Sequence, residues 1–247
     1  MSLGMFCGIP LPFHIWDEKL MRIMISCFPL VGFIIGGVWW AVGFGLFALN
    51  VPLMLTAAVL TFAPFFTAGF IHMDGYMDTS DARLSRRDFE ERVRILKDPL
   101  VGAFAVIMLV ILILVQFAAV YVIAETGRYF ALVIAVCVVS RCCSVVSIFT
   151  LRHMKESHYG AMLGEKRGTI PVFFTIIVLI AVTVLSFIYA GFIGLIVVAA
   201  VVLGYSNAMR IVYRDFKGVS GDLLGYSLVI GEVCGLVTLA ALGGVLL

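Results

Sequence analysis

The chain has 247 residues, 63% of them hydrophobic and only 13% charged, with a mean hydropathy of +1.15. Soluble domains run at roughly 45–50% apolar and about 25% charged residues, so this composition excludes a soluble globule. It describes an all-α, polytopic membrane protein whose first partner is the lipid bilayer, and the net charge of +2 leaves no footprint for nucleic acid.

A spanning helix needs about 20 predominantly apolar residues. The first 25 residues are partly polar, with Pro10 and Pro12 breaking any regular helix and Trp16 suited to the membrane interface. No basic stretch precedes an apolar one there, so no cleaved signal peptide is expected. The first span is predicted at 27–49, where Gly32, Gly36 and Gly37 admit a close helix neighbour. Asn50 and Pro52 turn the chain into a second span at 52–71.

Residues 72–98 form the longest polar stretch, a motif loop in which Arg83 to Lys97 alternate in sign around Phe89, Val93, Ile95 and Leu96. That pattern predicts a short amphipathic helix on the membrane surface. Asp98-Pro99 then has the form of an N-cap followed by proline, opening a third span at 100–124. A turn at Gly127-Arg128 leads to a fourth span at 129–151. A second polar loop, 152–169, carries Arg152, Lys155, Lys166 and Arg167 with three glycines. The run from 170 to 213 is too long for one helix and is predicted to break at Tyr189-Ala190-Gly191. The last span is 223–247. The expectation is a single transmembrane domain over 1–247 with about seven spans.

Seven spans put alternate loops on opposite sides. Fifteen of the 17 Arg and Lys residues then fall on one side, Arg128 alone on the other, and Arg141 inside a span. Through the positive-inside rule this predicts a cytoplasmic N-terminus in the cell's inner membrane and puts every long polar loop on the cytoplasmic face.

The chemistry is concentrated where the second span ends. Within ten residues come His72, Asp74, Asp78 and Asp81, and the acids stand at i, i+4 and i+7, one face of a helix. Three carboxylates this close raise one another's proton affinity. A hard divalent ion such as Mg2+, its shell completed by phosphate oxygens, removes that repulsion. His72 is open to three roles: metal ligand, general base, or an interfacial histidine bonded to backbone. Asp98 serves either as a helix cap or, with Lys97 and the helix start behind it, as part of a phosphate site. Arg141 lies near mid-span, where a charge costs about 2.5–3.5 kcal/mol, so it binds a substrate anion or pairs with an acid such as Glu232. Asp222, beside Gly221, opens the last helix. The six cysteines sit mostly in apolar runs and are expected to act as small hydrophobes. There is no GxxxxGK[ST], GxSxG or HExxH.

These motifs resemble, in order along the chain, those of the cobalamin synthase family, the adenosylcobinamide-GDP ribazoletransferases. The family's H-x-D-G-x-x-D-T-x-D is met by His72, Asp74, Gly75, Asp78, Thr79 and Asp81. Its K-D-x-x-x-G-A-F is met by Lys97, Asp98, Gly102, Ala103 and Phe104. The run Phe28-Pro29-Leu30-Val31-Gly32 is similar to family members, as is a G-D-x-x-G segment at Gly221, Asp222 and Gly225. After Asp81 the chain departs from the family's glycine-rich continuation with Ala82-Arg83-Leu84-Ser85-Arg86.

The resemblance implies the last joining step of the cobalamin nucleotide loop: a hydroxyl of α-ribazole (or its phosphate) attacks adenosylcobinamide-GDP and GMP leaves. It implies Mg2+ on Asp74, Asp78 and Asp98, with Asp81 as a further or outer ligand. It assigns Lys97, Arg141 and Asp222 to the substrate, and the hydroxyl's proton to His72 or an aspartate. A homo-oligomer is compatible with it. Two other readings use similar residues: a CDP-alcohol phosphotransferase or prenyltransferase, which needs a lipid-sized groove, and a small-molecule transporter, which needs charges at mid-membrane.

Overall fold

The computed structural model describes residues 1–8, 17, 20–154 and 168–245. Pro10, Pro12, Trp16, Lys155, Lys166, Arg167 and Leu247 lie outside those residues. The described elements are helices: α1 (Ser2–Phe6), α2 (Met21–Ser26), α3 (Phe28–Ala48), α4 (Leu53–Thr67), α5 (Ile71–Leu84), α6 (Phe89–Ile95), α7 (Ala103–Thr126), α8 (Leu132–Thr150), α9 (Thr169–Ala190), α10 (Phe192–Phe216) and α11 (Gly221–Val245). Six of them, α3 and α7 to α11, are long and apolar enough to cross a membrane, and the bent pair α4–α5 makes a seventh candidate.

α8 is the axis of the bundle. Its apolar side chains are buried almost all round, and α3, α9, α10 and α11 pack against it. α9, in contrast, turns Ile177, Ile180, Val184 and Ile188 outward, as a lipid-facing helix does. Gly32 and Gly36 of α3 serve the packing role predicted for them, whereas Gly37 has nothing within 4 Å of an added Cβ. A Cβ at Gly32 would lie 2.7 Å from the Cys137 carbonyl, and one at Gly36 would lie 2.6 Å from Ile134 Cα. Backbone contact at that range needs glycine, and it seats α3 directly on α8.

The predicted break at 190 is present. Gly191 takes φ 58 and ψ −138, a conformation that any side chain would strain, and this separates α9 from α10. Two boundaries differ from expectation. The second span does not run into the acidic motif: α4 has 15 residues and is about 22 Å long, short of the roughly 30 Å apolar core. Gly69 and Phe70 then both adopt positive φ, 67 and 62, and α5 leaves at 92° to α4. Within the polar stretch the expected short amphipathic helix is α6, which starts only at Phe89, where Asp88 caps it by accepting from the Glu91 amide at 2.9 Å.

Asp98 is not the cap of the third span. Its carboxylate accepts from the Leu100 amide at 3.0 Å in a local turn, Pro99 to Val101 stay irregular, and α7 starts after Gly102. Proline at N1 fits only where the following residues continue the helix, and here they do not.

The α3–α8 contact yields a paired test. Gly32→Ala drives a methyl into backbone and lowers stability by about 1–3 kcal/mol, read as a drop in melting temperature in detergent. Gly37→Ala, with nothing within 4 Å of the added carbon, leaves it unchanged or raises it by up to about 1 kcal/mol.

Candidate functional site

The site is built where α5 crosses α11. A Cβ on Gly75 would lie 2.8 Å from the Asp222 carbonyl and 2.9 Å from Asp222 Cα, and one on Gly225 would lie 3.3 Å from His72 Cα. Two glycines, one per helix, therefore bring the backbones together and carry Asp222 to the acidic face of α5. Ser220 rather than Asp222 caps α11: its hydroxyl accepts from the Leu223 amide at 3.4 Å and its carbonyl from the Leu224 amide at 3.1 Å. The Asp222 carboxylate accepts a long bond of 3.5 Å from the same Ser220 hydroxyl and lines the site.

The crossing is fastened at its far end. Tyr76 of α5 stacks on Tyr226 of α11, with ring centroids 5.5 Å apart and planes 11° apart. Arg83 donates to Asp215 of α10 at 3.0 Å and to the Tyr226 hydroxyl at 2.9 Å. Sequence reasoning placed Arg83 in a surface charge pattern and overlooked Asp215. Only the turn of α5 through its last two turns reveals that Arg83 faces inward.

Four carboxylates share the crossing. Burial and then the charges of Asp74, Asp222 and Asp81, in that order, push the Asp78 carboxyl up to about 6. Asp98 lies on the exposed loop after α6, beside Lys97. Asp81 has an engagement of its own: its carboxylate lies over Gly102, where a Cβ would sit 2.0 Å from Oδ2. This puts Asp81 at the N-terminus of α7, where a helix favours negative charge. It also explains the glycine of the Lys97–Phe104 segment, which joins that segment to the acidic helix.

A cavity of about 110 Å3 opens beside the acids. Asp74, Asp222 and His72 line its polar side, Phe28, Ile71, Leu224 and Leu228 its apolar side. His72 is 8% exposed, meets the Phe28 ring edge-on at 5.7 Å, and has no hydrogen-bond partner at Nε2. Burial, with Arg141 adding to it, lowers its pKa to about 3. The imidazole is therefore neutral at physiological pH, a hydrogen-bonding group and a poor proton store.

Arg141 takes the ion-pair alternative. It is 1% exposed and bonds Glu232 of α11, and it also donates to the Cys137 carbonyl at 2.9 Å and the Ser140 hydroxyl at 3.1 Å. Its guanidinium lies 5.7 Å from the Phe28 centroid, and Gly32 makes room for its stem. Phe28 thus touches both Arg141 and His72, and Arg141 is not among the residues that line the cavity.

A family profile described as cobalamin-5-phosphate synthase matches residues 1–240. The chain belongs to that family. Curated relatives named adenosylcobinamide-GDP ribazoletransferase match along nearly their whole length. One from Clostridium botulinum (strain Alaska E43 / Type E3) is 37% identical over 237 residues, 96% of this chain and 94% of the relative. One from Clostridium perfringens (strain ATCC 13124) is 36% identical over 239 residues, 97% and 95%. One from Geobacillus kaustophilus is 32% identical over 238 residues, 94% and 90%. No solved structure matches the chain.

The acids have the oxygen chemistry of a Mg2+ site. Among the described residues no three His, Cys, Asp or Glu side chains stand together in a ligand arrangement. Mg2+ usually takes one or two carboxylates and completes its octahedron with water and substrate phosphate, so this donor set fits a cofactor recruited with its substrate. The crowding also sets a pH signature. Because the Asp78 carboxyl titrates higher folded than unfolded, the fold is favoured below about pH 4 and loses that advantage as pH rises through about 6. In chelator, Asp78→Asn raises the melting temperature over wild type at pH 7.5, and the gap closes at pH 4.

Proposed function

We propose that the chain joins α-ribazole, or its phosphate, to adenosylcobinamide-GDP with loss of GMP, the final assembly of the cobalamin nucleotide loop. The observation that carries this reading is the glycine-permitted crossing of α5 and α11, which gathers Asp74, Asp78, Asp81 and Asp222 beside one cavity. The ribazoletransferase relatives supply the substrates.

Phosphoryl transfer depends on holding two oxygens in line and offsetting charge on the phosphate. Asp74 and Asp78 would hold Mg2+, with Asp81 and Asp222 in its outer surroundings, and the ion would neutralise charge over the diphosphate oxygens. Lys97, exposed beyond α6, meets the outer oxygens of the diphosphate. The unpartnered Nε2 of neutral His72 accepts a hydrogen bond from the attacking hydroxyl and orients it. The hydroxyl oxygen bonds the cobinamide-side phosphorus, the bond to GMP breaks, and the proton passes to a carboxylate of the cluster. Arg141 has a different task in this scheme. Paired with Glu232, it ties α8 to α11 under Phe28 and so fixes the cavity floor.

The asymmetry of Arg and Lys supports a cytoplasmic site in the inner membrane, the side where nucleotides are. With purified protein, Mg2+, adenosylcobinamide-GDP and α-ribazole, GMP is released, and EDTA stops the release. Asp74→Asn lowers the rate by at least about a hundredfold while the protein still inserts and melts no lower than wild type. Undiminished turnover in Asp74→Asn would remove that residue from the mechanism.

A further inference from the structure

The exposed face of α10 changes character along its length. Phe192, Ile196 and Leu203 stand outward at helical spacing, as lipid-facing residues do. Ser206 and Asn207 continue that face, Arg210 and Arg214 follow on it, and Lys217 closes it, all of them exposed. A roughly 30 Å apolar core takes up about 20 helical residues. Counted from Phe192, that core ends near Ile211. The three cations therefore stand at the level of lipid headgroups, and Ser206 and Asn207 lie a turn beneath them.

At that level the surface is hollowed. A groove of about 730 Å3 is lined by Arg152, Asn207, Arg210, Arg214 and Lys217, and none of its described lining residues is acidic. Arg152 comes from the segment after α8, which is held to the segment after α10 by the Val219 amide donating to the Arg152 carbonyl at 3.0 Å. Among the described residues Arg152 and Arg210 form no ion pair. Arg214 reaches Asp215 only at 3.7 Å, and Arg83 holds that carboxylate at 3.0 Å. Like charges gathered in this way repel, and a bound anion offsets the repulsion. A slot of about 340 Å3 adjoins the groove at Arg210 and Tyr213 and is lined by the hydroxyls of Ser147, Thr150 and Ser206. Tyr205, 2% exposed, lines it too, and its hydroxyl has no hydrogen-bond partner.

We propose that groove and slot together bind one anionic phospholipid of the surrounding bilayer. The lipid phosphate lies among Arg152, Arg210 and Arg214, the glycerol esters meet the hydroxyls of the slot, and an acyl chain descends along Leu203 and Ile196. Arginine suits the phosphate because its guanidinium offers paired N–H groups to two oxygens. Basic pockets between helices at a membrane surface take anionic headgroups on the same grounds. A soluble phosphate would use the cations but leave the slot and the apolar stripe beneath it without a role. Cations, hydroxyls and apolar side chains follow one another in the order of a phospholipid's own parts, and this favours the lipid. Bound there, the lipid bridges the ends of α8 and α10 and braces the segment that leads from Lys217 to Asp222.

The test is native mass spectrometry of the full chain released from neutral micelles that hold phosphatidylglycerol and phosphatidylcholine in equal amounts. Wild type retains one phosphatidylglycerol in preference to phosphatidylcholine by about tenfold or more. The Arg210→Gln/Arg214→Gln protein loses about tenfold or more of that preference, at roughly fivefold for each cation removed. Arg210→Lys/Arg214→Lys, which keeps the charge, retains most of it. Arg86→Gln/Arg87→Gln removes the same charge from exposed positions outside the groove and leaves the preference as in wild type. A wild type that retains the two lipids equally overturns the assignment, as does an Arg210→Gln/Arg214→Gln protein that keeps the preference. An equal loss in the Arg86→Gln/Arg87→Gln protein would make the attraction one of overall charge and overturn it too. So would displacement of the lipid by inorganic phosphate at equal concentration, which would make the groove a site for a soluble phosphate. GMP release takes no part in the readout, so this assignment and the proposed reaction fail separately.

Discussion

The structure depends on backbone contact between α5 and α11. Gly75 and Gly225 supply it, and neither helix could come as near with a methyl group at Gly75. Helices in lipid gain little from apolar contact alone, so close approach, stacked tyrosines and the Arg83 bonds hold this crossing. What it creates is unfavourable in isolation: four carboxylates near one another, one with its pKa raised to about 6. A fold that holds such repulsion in place by packing is suited to a cation that arrives with an anionic substrate.

A second constraint lies behind the first. Arg141 and Glu232 are buried in the interior of the bundle, and each would be costly there without the other. Their pairing fixes the rotation of α8 against α11. Gly32 and Phe28 of α3 close over the arginine stem and guanidinium. The Phe28–Gly32 run thus contributes a cavity wall at one end and a fitted contact at the other.

Spans and their number were legible because apolar length is a direct physical signal: α3, α7, α8, α9, α10 and α11 fall where hydropathy places them. The break at Gly191 was legible because the chain is too long there for one helix. The 92° turn at Gly69-Phe70 was not, since the apolar run continues through it and Phe70 carries no sign that it will adopt positive φ. In the site, the helical spacing of Asp74, Asp78 and Asp81 could be read directly. The arrival of Asp222 could not, because a contact between residues about 150 positions apart leaves no local pattern. Asp98 looked like a cap because Asp-Pro so often is one; here the turn it makes with Leu100 won instead. Arg141 was correctly singled out as an anomaly, and only its neighbours decided between substrate and Glu232.

Helix contact, rather than the acids alone, brings these four carboxylates to one place. Mn2+ binding, followed by electron paramagnetic resonance with adenosylcobinamide-GDP present, tests it in the Gly75→Ala protein, which keeps all four carboxylates. Mn2+ affinity falls by about tenfold or more, as expected when the supports of a metal site shift. Wild-type affinity in Gly75→Ala would contradict it.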